Sequence, residues 1–405
     1  MNKDLLIKYA HTIAHIGANV EKGDEVWIQT SLAQPDFTVM LVEECYKLGA
    51  SHVEVTYSDS RNAILASKYE KLSRLSKISP YSLAKTKYFS KKLPTRIYIL
   101  ADDPDGMKGA NQVKLAKAQM KTYPRIKPYR DAADGKYKWV IAAAPNVEWA
   151  KKMFPELPVD EAMEKLWEAI LVTSRCEAGE GVERWHEHHA FLKGQSEKLN
   201  NLHLTELRYK ASNGTDFKVG LVEGALFLGG QEKLPNGKVF SPNIPSEEIF
   251  TSPLAGKAEG VLVATKPLSY RGELIEDFSF TFKDGKVVEA KARKGQKALE
   301  TMINMDEGAR MLGEVALVPH DSPISNTGLL FYETLFDENA ACHVALGAGF
   351  QVFEKHLSVS ELKEKGINDS MIHVDFMIGS EDLSIDAITR DGKTVAIFRD
   401  GNWAF

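Results

Sequence analysis

Between residues 23 and 59 the hydrophobic period of the chain changes from two to 3.6 and back. GDEVWIQT (23–30) alternates as a strand, DFTVMLVEECYKLG (36–49) gathers its apolar residues on one helical face and stops at Gly49, and SHVEVTYSD (51–59) alternates again. That is a βαβ unit, which commits this part of the chain to a parallel sheet covered by helices. TRIYILADD (95–103) and KWVIAAAP (138–145) have the short continuous apolar pattern of further buried parallel strands. Residues 1–175 therefore read as an open, mostly parallel α/β domain. No strand is followed by GxGxxG or GxxxxGK[ST], so the sheet carries no nucleotide-binding signature.

The texture changes after a helix at 160–176 and a charged helix at 181–201. ELRYKASNGTDFKVGLVEGALFLGG (206–230) and GELIEDFSFTFKDGKVVEAKARKG (272–295) are strands punctuated by Asn-Gly and Asp-Gly, the dipeptides of tight antiparallel hairpins. A helix is expected over 295–313, then short strands and loops to the C-terminus. Residues 176–405 read as an α+β domain, and the whole chain as α/β class.

At 405 residues the chain exceeds a single ordinary core, which agrees with two domains. Hydrophobic residues at 43%, charged residues at 26% and a mean hydropathy of -0.27 describe a globular, water-exposed protein. Fifty-one basic against 56 acidic residues give a net charge of -5, so no global basic field draws nucleic acid or an anionic membrane. No stretch approaches the ~18 apolar residues of a membrane span, and the charged N-terminal helix lacks the pattern of a signal peptide. Cys45, Cys176 and Cys342 are far apart, without zinc-ligand or disulfide spacing. A reducing, cytoplasmic location is expected.

Histidine is densest in HEHH (186–189), but a zinc-peptidase HExxH needs a histidine where Ala190 stands. Glu183, Arg184, Glu187 and Lys193 around it predict a solvated, charged helix face. HVDFMIG (373–379) is more informative: residues two apart on a strand share a face, so His373 and Asp375 project together, opposite Val374 and Phe376. Such a pair suits a metal or a buried hydrogen-bonded couple equally. Glu314 opens the apolar strand GEVALVP (313–319), where an unpaired carboxylate costs several kcal/mol and so requires a cation. Glu247 and Glu248 adjoin each other in the Pro-bounded loop SPNIPSEEIFTSP (241–253). His343 lies alone among small residues in CHVALGAGF (342–350), with Gly347 and Gly349 permitting close backbone approach. Singly, each has an ordinary structural explanation. Together Glu248, Glu314, His343, His373 and Asp375 supply three carboxylates and two imidazoles, an inventory suited to two divalent ions sharing a carboxylate.

These residues lie in long blocks, among them NIPSEEIFTSP, DEGARMLGEVALVPHDSPISNTGLLFYETLFDENAACHVALG and HVDFMIGSEDLSIDAITRDGKTVAIFRDGNWAF, that resemble the aminopeptidase T, aminopeptidase S and PepS family of metallopeptidases. The resemblance implies a homodimeric, dinuclear aminopeptidase that removes N-terminal residues from short peptides. It places the metal ligands at Glu248, Glu314, His343, His373 and Asp375, with zinc, cobalt, manganese or magnesium as the two ions. Glu247 is the candidate general base, or else a neighbour that supports the ligands. Family members carry a catalytic tyrosine seven residues after the first ligand histidine, and here that position is Phe350. Tyr332 and His320 are the nearest residues in sequence able to replace its hydroxyl. Two alternatives accompany this reading: a mononuclear iron ring-cleaving dioxygenase using His343, His373 and Asp375, and a weakly active peptide-binding protein. Both Glu248 and Glu314 favour two metals over the first of these.

Overall fold

The strand, helix and strand at the start of the chain fold as their periodicity dictates. Glu25–Ser31 pairs in parallel with His52–Ser58, Glu25 opposite His52 and Ser31 opposite Ser58. The helix Pro35–Lys47 connects them, and Gly49 takes a φ of 101° in the turn that follows. On its other side Glu25–Ser31 pairs in parallel with Thr95–Leu100, which pairs in turn with Trp139–Ala143. Phe37, Leu41 and Cys45 form the buried face of the helix. The Phe37 ring stacks on Tyr9 at 5.6 Å and meets Trp167 edge-on at 5.3 Å. Each such ring contributes about 1.5–3 kcal/mol through burial, and the Tyr9 hydroxyl is satisfied by donating to the Ala143 carbonyl at 2.9 Å.

The computed structural model of the chain describes residues 1–179 and 181–405. They divide into two units, residues 1–190 with 230–246, and residues 191–229 with 247–405. The first unit holds the parallel sheet. The second holds a nine-stranded antiparallel sheet and a five-stranded one. Both dipeptide turns are hairpins: Gly214 has φ 103° between Leu204–Lys210 and Asp216–Leu221, and Asp284 and Gly285 have φ 50° and 74° between Glu273–Lys283 and Lys286–Lys294. A Cβ at Gly285 would lie 2.1 Å from the Gly256 backbone, so only glycine fits there.

The five-stranded sheet has the order His373–Met377, His343–Gly347, Leu312–Leu317, Ile249–Thr251, Leu228–Gly229. One face packs on the larger sheet, where Phe376 meets Phe280 at 5.0 Å and Phe278 at 5.8 Å. That contact fixes which way the alternating side chains of the His373 strand point.

Two expectations change. The helix expected over 295–313 runs only from Gln296 to Ile303, with a 3-10 turn at Gly308–Arg310 and a strand from Leu312. The Asp306 carboxylate accepts from the Ala309 N–H at 2.8 Å, the Ser370 hydroxyl at 2.7 Å and the Met371 N–H at 2.5 Å. A side chain engaged in this way competes with helical hydrogen bonding. The helix Gly181–Asn201 forms as expected, with His186 on an exposed face, but the other two histidines are not solvated: His188 and His189 are 7% and 6% exposed. Arg175 Nη2 lies 3.1 Å from His188 Nδ1, His188 Nε2 lies 2.7 Å from the Ser246 carbonyl, and His189 Nε2 lies 3.0 Å from Ser241 Oγ. Burial, with Arg175 beside the first and His188 beside the second, pushes both imidazoles down to about 3. They are neutral core groups held by polar partners.

Candidate metal centre

Strand register assembles the site. Glu314 is paired with Ala345, and Ala345 with Asp375, so the three share one face of the sheet. His343 precedes Ala345 by two residues and His373 precedes Asp375 by two, which puts both imidazoles on that face. Val315, Val344 and Phe376 pair across the opposite face, toward the core. Ala345 separates the two carboxylates with a single methyl group. At Gly347, paired with His373, φ is 114° and an added Cβ would lie 2.0 Å from the Ile372 carbonyl oxygen. Glu248 enters from the loop just ahead of Ile249–Thr251.

The ligand atoms converge in three overlapping groups, each with its atoms within 4.8 Å of one another: Glu248, Glu314 and His343; Glu314, His373 and Asp375; and Glu338, His343 and Asp375. His343 Nε2 is 3.1 Å from Glu248 Oε2, while His373 Nε2 is 3.0 Å from Glu314 Oε2 and 3.3 Å from Asp375 Oδ1. The opposite ring nitrogens face backbone carbonyls, His343 Nδ1 at 3.1 Å from Ala341 and His373 Nδ1 at 2.7 Å from Ala348. An Nδ1–H donated to each carbonyl leaves the Nε2 lone pair aimed into the cluster, the arrangement that orients metal-binding histidines.

These residues fit a divalent cation. His343 Nε2 and Asp375 Oδ1 are buried without an aligned hydrogen-bond partner, although oppositely charged atoms lie 3.1–3.3 Å away. Buried polar atoms in that condition are unfavourable unless a further group satisfies them. The electrostatics of the cluster carry the same imbalance. Burial opposes protonation of His343, yet the hydrogen bond and charge of Glu248, with Glu314 and Asp375, outweigh it and push the imidazole up to about 9. His373 is likewise raised, by Asp375 and Glu314 against burial. Burial, together with the charges of Glu248 and Asp375, pushes Glu314 up to about 7. Without a cation, protons gather where positive charge is wanted.

Glu338 was not expected from the sequence. Burial, then Asp375, Glu248 and Glu314, hold its carboxyl well above the ordinary range. It ends the short helix Thr334–Glu338 in a run, FDEN, whose acids read locally as solvated. Its neighbour Asn339, fully buried, accepts the Glu247 N–H at 2.7 Å and donates to the Leu335 carbonyl at 2.9 Å, tying this helix to the Glu247–Glu248 loop. A short spacing to His343 was the only trace available in the sequence.

Glu247 is buried beside Glu248 but its carboxylate joins none of the three groups. His320 does not reach the cluster either: its side chain is 41% exposed and lies 3.7 Å from Glu381. Tyr332, at φ 57°, lies in the turn ahead of the Glu338 helix, where its backbone helps hold the Asp337 carboxylate. Phe350 touches the cluster directly, its ring centroid 4.5 Å from that of His373.

The family model for thermophilic metalloproteases (M29) matches residues 2–403. The chain belongs to the M29 family. Aminopeptidase 2 of Geobacillus stearothermophilus is 38% identical over 405 residues, 99% of this chain and 98% of that protein. Aminopeptidase AmpS of Bacillus subtilis is 38% identical over 402 residues, 98% of each chain. The solved structure of wild-type AmpT from Thermus thermophilus superimposes with a TM-score of 0.89 at 36% identity, covering 100% of both chains. The M29 assignment makes the chain a metal-dependent hydrolase of peptides, and the fold is that of a solved M29 relative. No helix among the described residues is long and apolar enough to cross a membrane.

Proposed function

We propose that this chain is an aminopeptidase that releases the N-terminal residue of short peptides at a dinuclear centre held by Glu248, Glu314, His343, His373, Asp375 and Glu338. The observation that carries the reading is the sharing of Glu314 between two ligand groups, one with Glu248 and His343, the other with His373 and Asp375. A carboxylate common to both suits a bridge between two ions. Four carboxylates and two neutral imidazoles also sum to a charge that two divalent ions balance. The groups that form do not unite His343, His373 and Asp375, which disfavours the mononuclear iron alternative. Zinc, cobalt, manganese and magnesium all suit so mixed a donor set.

When bound, such ions supply Lewis acidity: they polarise the scissile carbonyl, acidify a water and anchor the free amine. The protein's own groups do the rest. The Nδ1 contacts to the Ala341 and Ala348 carbonyls hold both imidazoles in one orientation. Glu247 is our candidate for the group that takes the proton of the attacking water: it adjoins Glu248 in the same loop, and its backbone N–H is fixed by Asn339. At Phe350 no hydroxyl is available to stabilise the developing oxyanion, a contribution of about 2.7–4 kcal/mol where such a donor exists.

The test is to strip metal with a chelator, reload single metals, and measure both bound metal and amino acid released from Leu- and Ala-initiated peptides. Two ions per chain with amino-acid release support the reading. One ion per chain without release overturns it. We propose further that the metal centre belongs to a C-terminal domain, 176–405 by sequence, of which 176–190 and 230–246 group with the first unit instead, that the protein acts as a homodimer, and that it is cytoplasmic. The three free, buried cysteines suit a reducing compartment, and sedimentation analysis tests the dimer.

A further inference from the structure

Phe350 is a large apolar side chain left 39% exposed at the edge of a charged cluster. Its position is nonetheless fixed. The ring meets Phe250 edge-on, centroids 5.5 Å apart at 72°, and Phe250 packs in turn on the buried cluster of Val222, Val352, Leu362 and Ile367. The Phe350 backbone N–H donates to Ser252 Oγ at 2.7 Å. On the other side the ring lies 4.5 Å from the His373 imidazole, whose side chain keeps 24% of its surface accessible. A phenyl ring has no donor or acceptor to offer at that spot, only apolar surface. It therefore stands as a rigid apolar wall beside the accessible part of a ligand ring.

We propose that Phe350, backed by Phe250, is the wall against which the substrate's N-terminal side chain packs, and that it biases the enzyme toward large apolar N-terminal residues. The inference rests on the aminopeptidase reading. In that reaction, ions held by these ligands would engage the free amine and the scissile carbonyl, and both groups are attached to the first Cα. The side chain on that carbon is the substrate group nearest the metals after the reacting atoms. An aromatic surface in contact with a ligand imidazole lies within its reach. Removing apolar surface worth one or a few methylene contacts changes discrimination by about 10–200-fold.

The experiment compares wild type, Phe350→Leu and Phe350→Ala, all metal-loaded, by two readouts. One is the ratio of kcat/KM for Leu- and Gly-p-nitroanilide. The other is the ratio of calorimetric affinities for leucine hydroxamate and glycine hydroxamate, which requires no turnover. Phe350→Ala is expected to lower the leucine preference roughly tenfold in both, and Phe350→Leu to retain most of it. Metal content and Tm identify any variant that is merely misfolded. Equal ratios in wild type and in folded Phe350→Ala overturn the proposal. Absence of amino-acid release from loaded wild type instead overturns the aminopeptidase reading, while the hydroxamate ratios still decide the role of the ring.

Discussion

Two histidine-bearing regions of this chain have opposite fates. The helix Gly181–Asn201 carries His186, His188 and His189 within four residues, whereas His343 and His373 are 30 residues apart with a single histidine, His356, between them. In the helix the neighbours of His188 and His189 are Arg175, Ser241 and a carbonyl, and burial drives both imidazoles neutral. In the sheet the neighbours are Glu248, Glu314, Glu338 and Asp375, and the imidazoles are pushed toward the charged form. Local density of histidine says little about metal binding. Convergence of carboxylates on the imidazole from other strands says much more.

That contrast can be broken at several points. Glu314→Gln removes the carboxylate common to two ligand groups, so metal content and peptidase activity should fall by more than the roughly 10–100-fold that changes around a ligand cost. Retention of both in Glu314→Gln would break the account of the sheet. Phe350→Tyr restores a hydroxyl beside His373 and should raise kcat, by at most about 10²-fold if it reaches the oxyanion. A rate no higher than wild type would show that another group already fills that role. His189→Ala tests the other region: the buried Ser241 hydroxyl loses its partner, and stability should fall by about 1–3 kcal/mol with the metal stoichiometry unchanged. Loss of metal in this variant would abolish the distinction between the two regions.

The smallest effect is on the pH dependence of Tm. In metal-free protein His343 has a folded value of about 9 against 6.5 unfolded, and Glu314 about 7 against 4.5. Both bind protons more tightly when folded, so the stability they contribute is complete at low pH and is lost as pH rises, through 7 for Glu314 and through 9 for His343. His188 and His189, at about 3 against 6.5, act the other way: their contribution is present above 6.5 and is lost as pH falls toward 3. Tm of the apo protein should therefore decline between pH 6.5 and 9, and bound metal should abolish that decline by taking the place of the protons. His189→Ala should flatten only the acid limb. An alkaline limb identical with and without metal would contradict the role given to His343.

Much of the site was legible because strands carry a period of two. His373 and Asp375 declared their common face in sequence, and Glu314 and His343 stood out as polar groups in apolar runs. Glu338 was not legible. Its short helix has no period to break, and two adjacent acids beside an asparagine look like a solvated loop; only the Asn339 contact with the Glu247 backbone shows the segment is buried against the ligand loop. The helix His186–Glu187–His188–His189 misled for the converse reason, since flanking charges on one turn do not reveal which face a neighbouring segment covers. The shortened helix after Gln296 has a similar cause: Asp306 is held by Ser370 and Met371, more than 60 residues away.

The sequence by itself determined the parallel strands of the first part, the hairpins of the second and the family of the chain, because period, turn dipeptides and long motif blocks are local properties. Tertiary structure alone decided that Glu314, Ala345 and Asp375 lie in one line across three strands, that Glu338 joins them, and that Phe350 rests on His373. Register between strands is set by core packing on the far face, here Phe376 against Phe278 and Phe280. A contact of that kind joins residues nearly 100 positions apart, and no local pattern carries it.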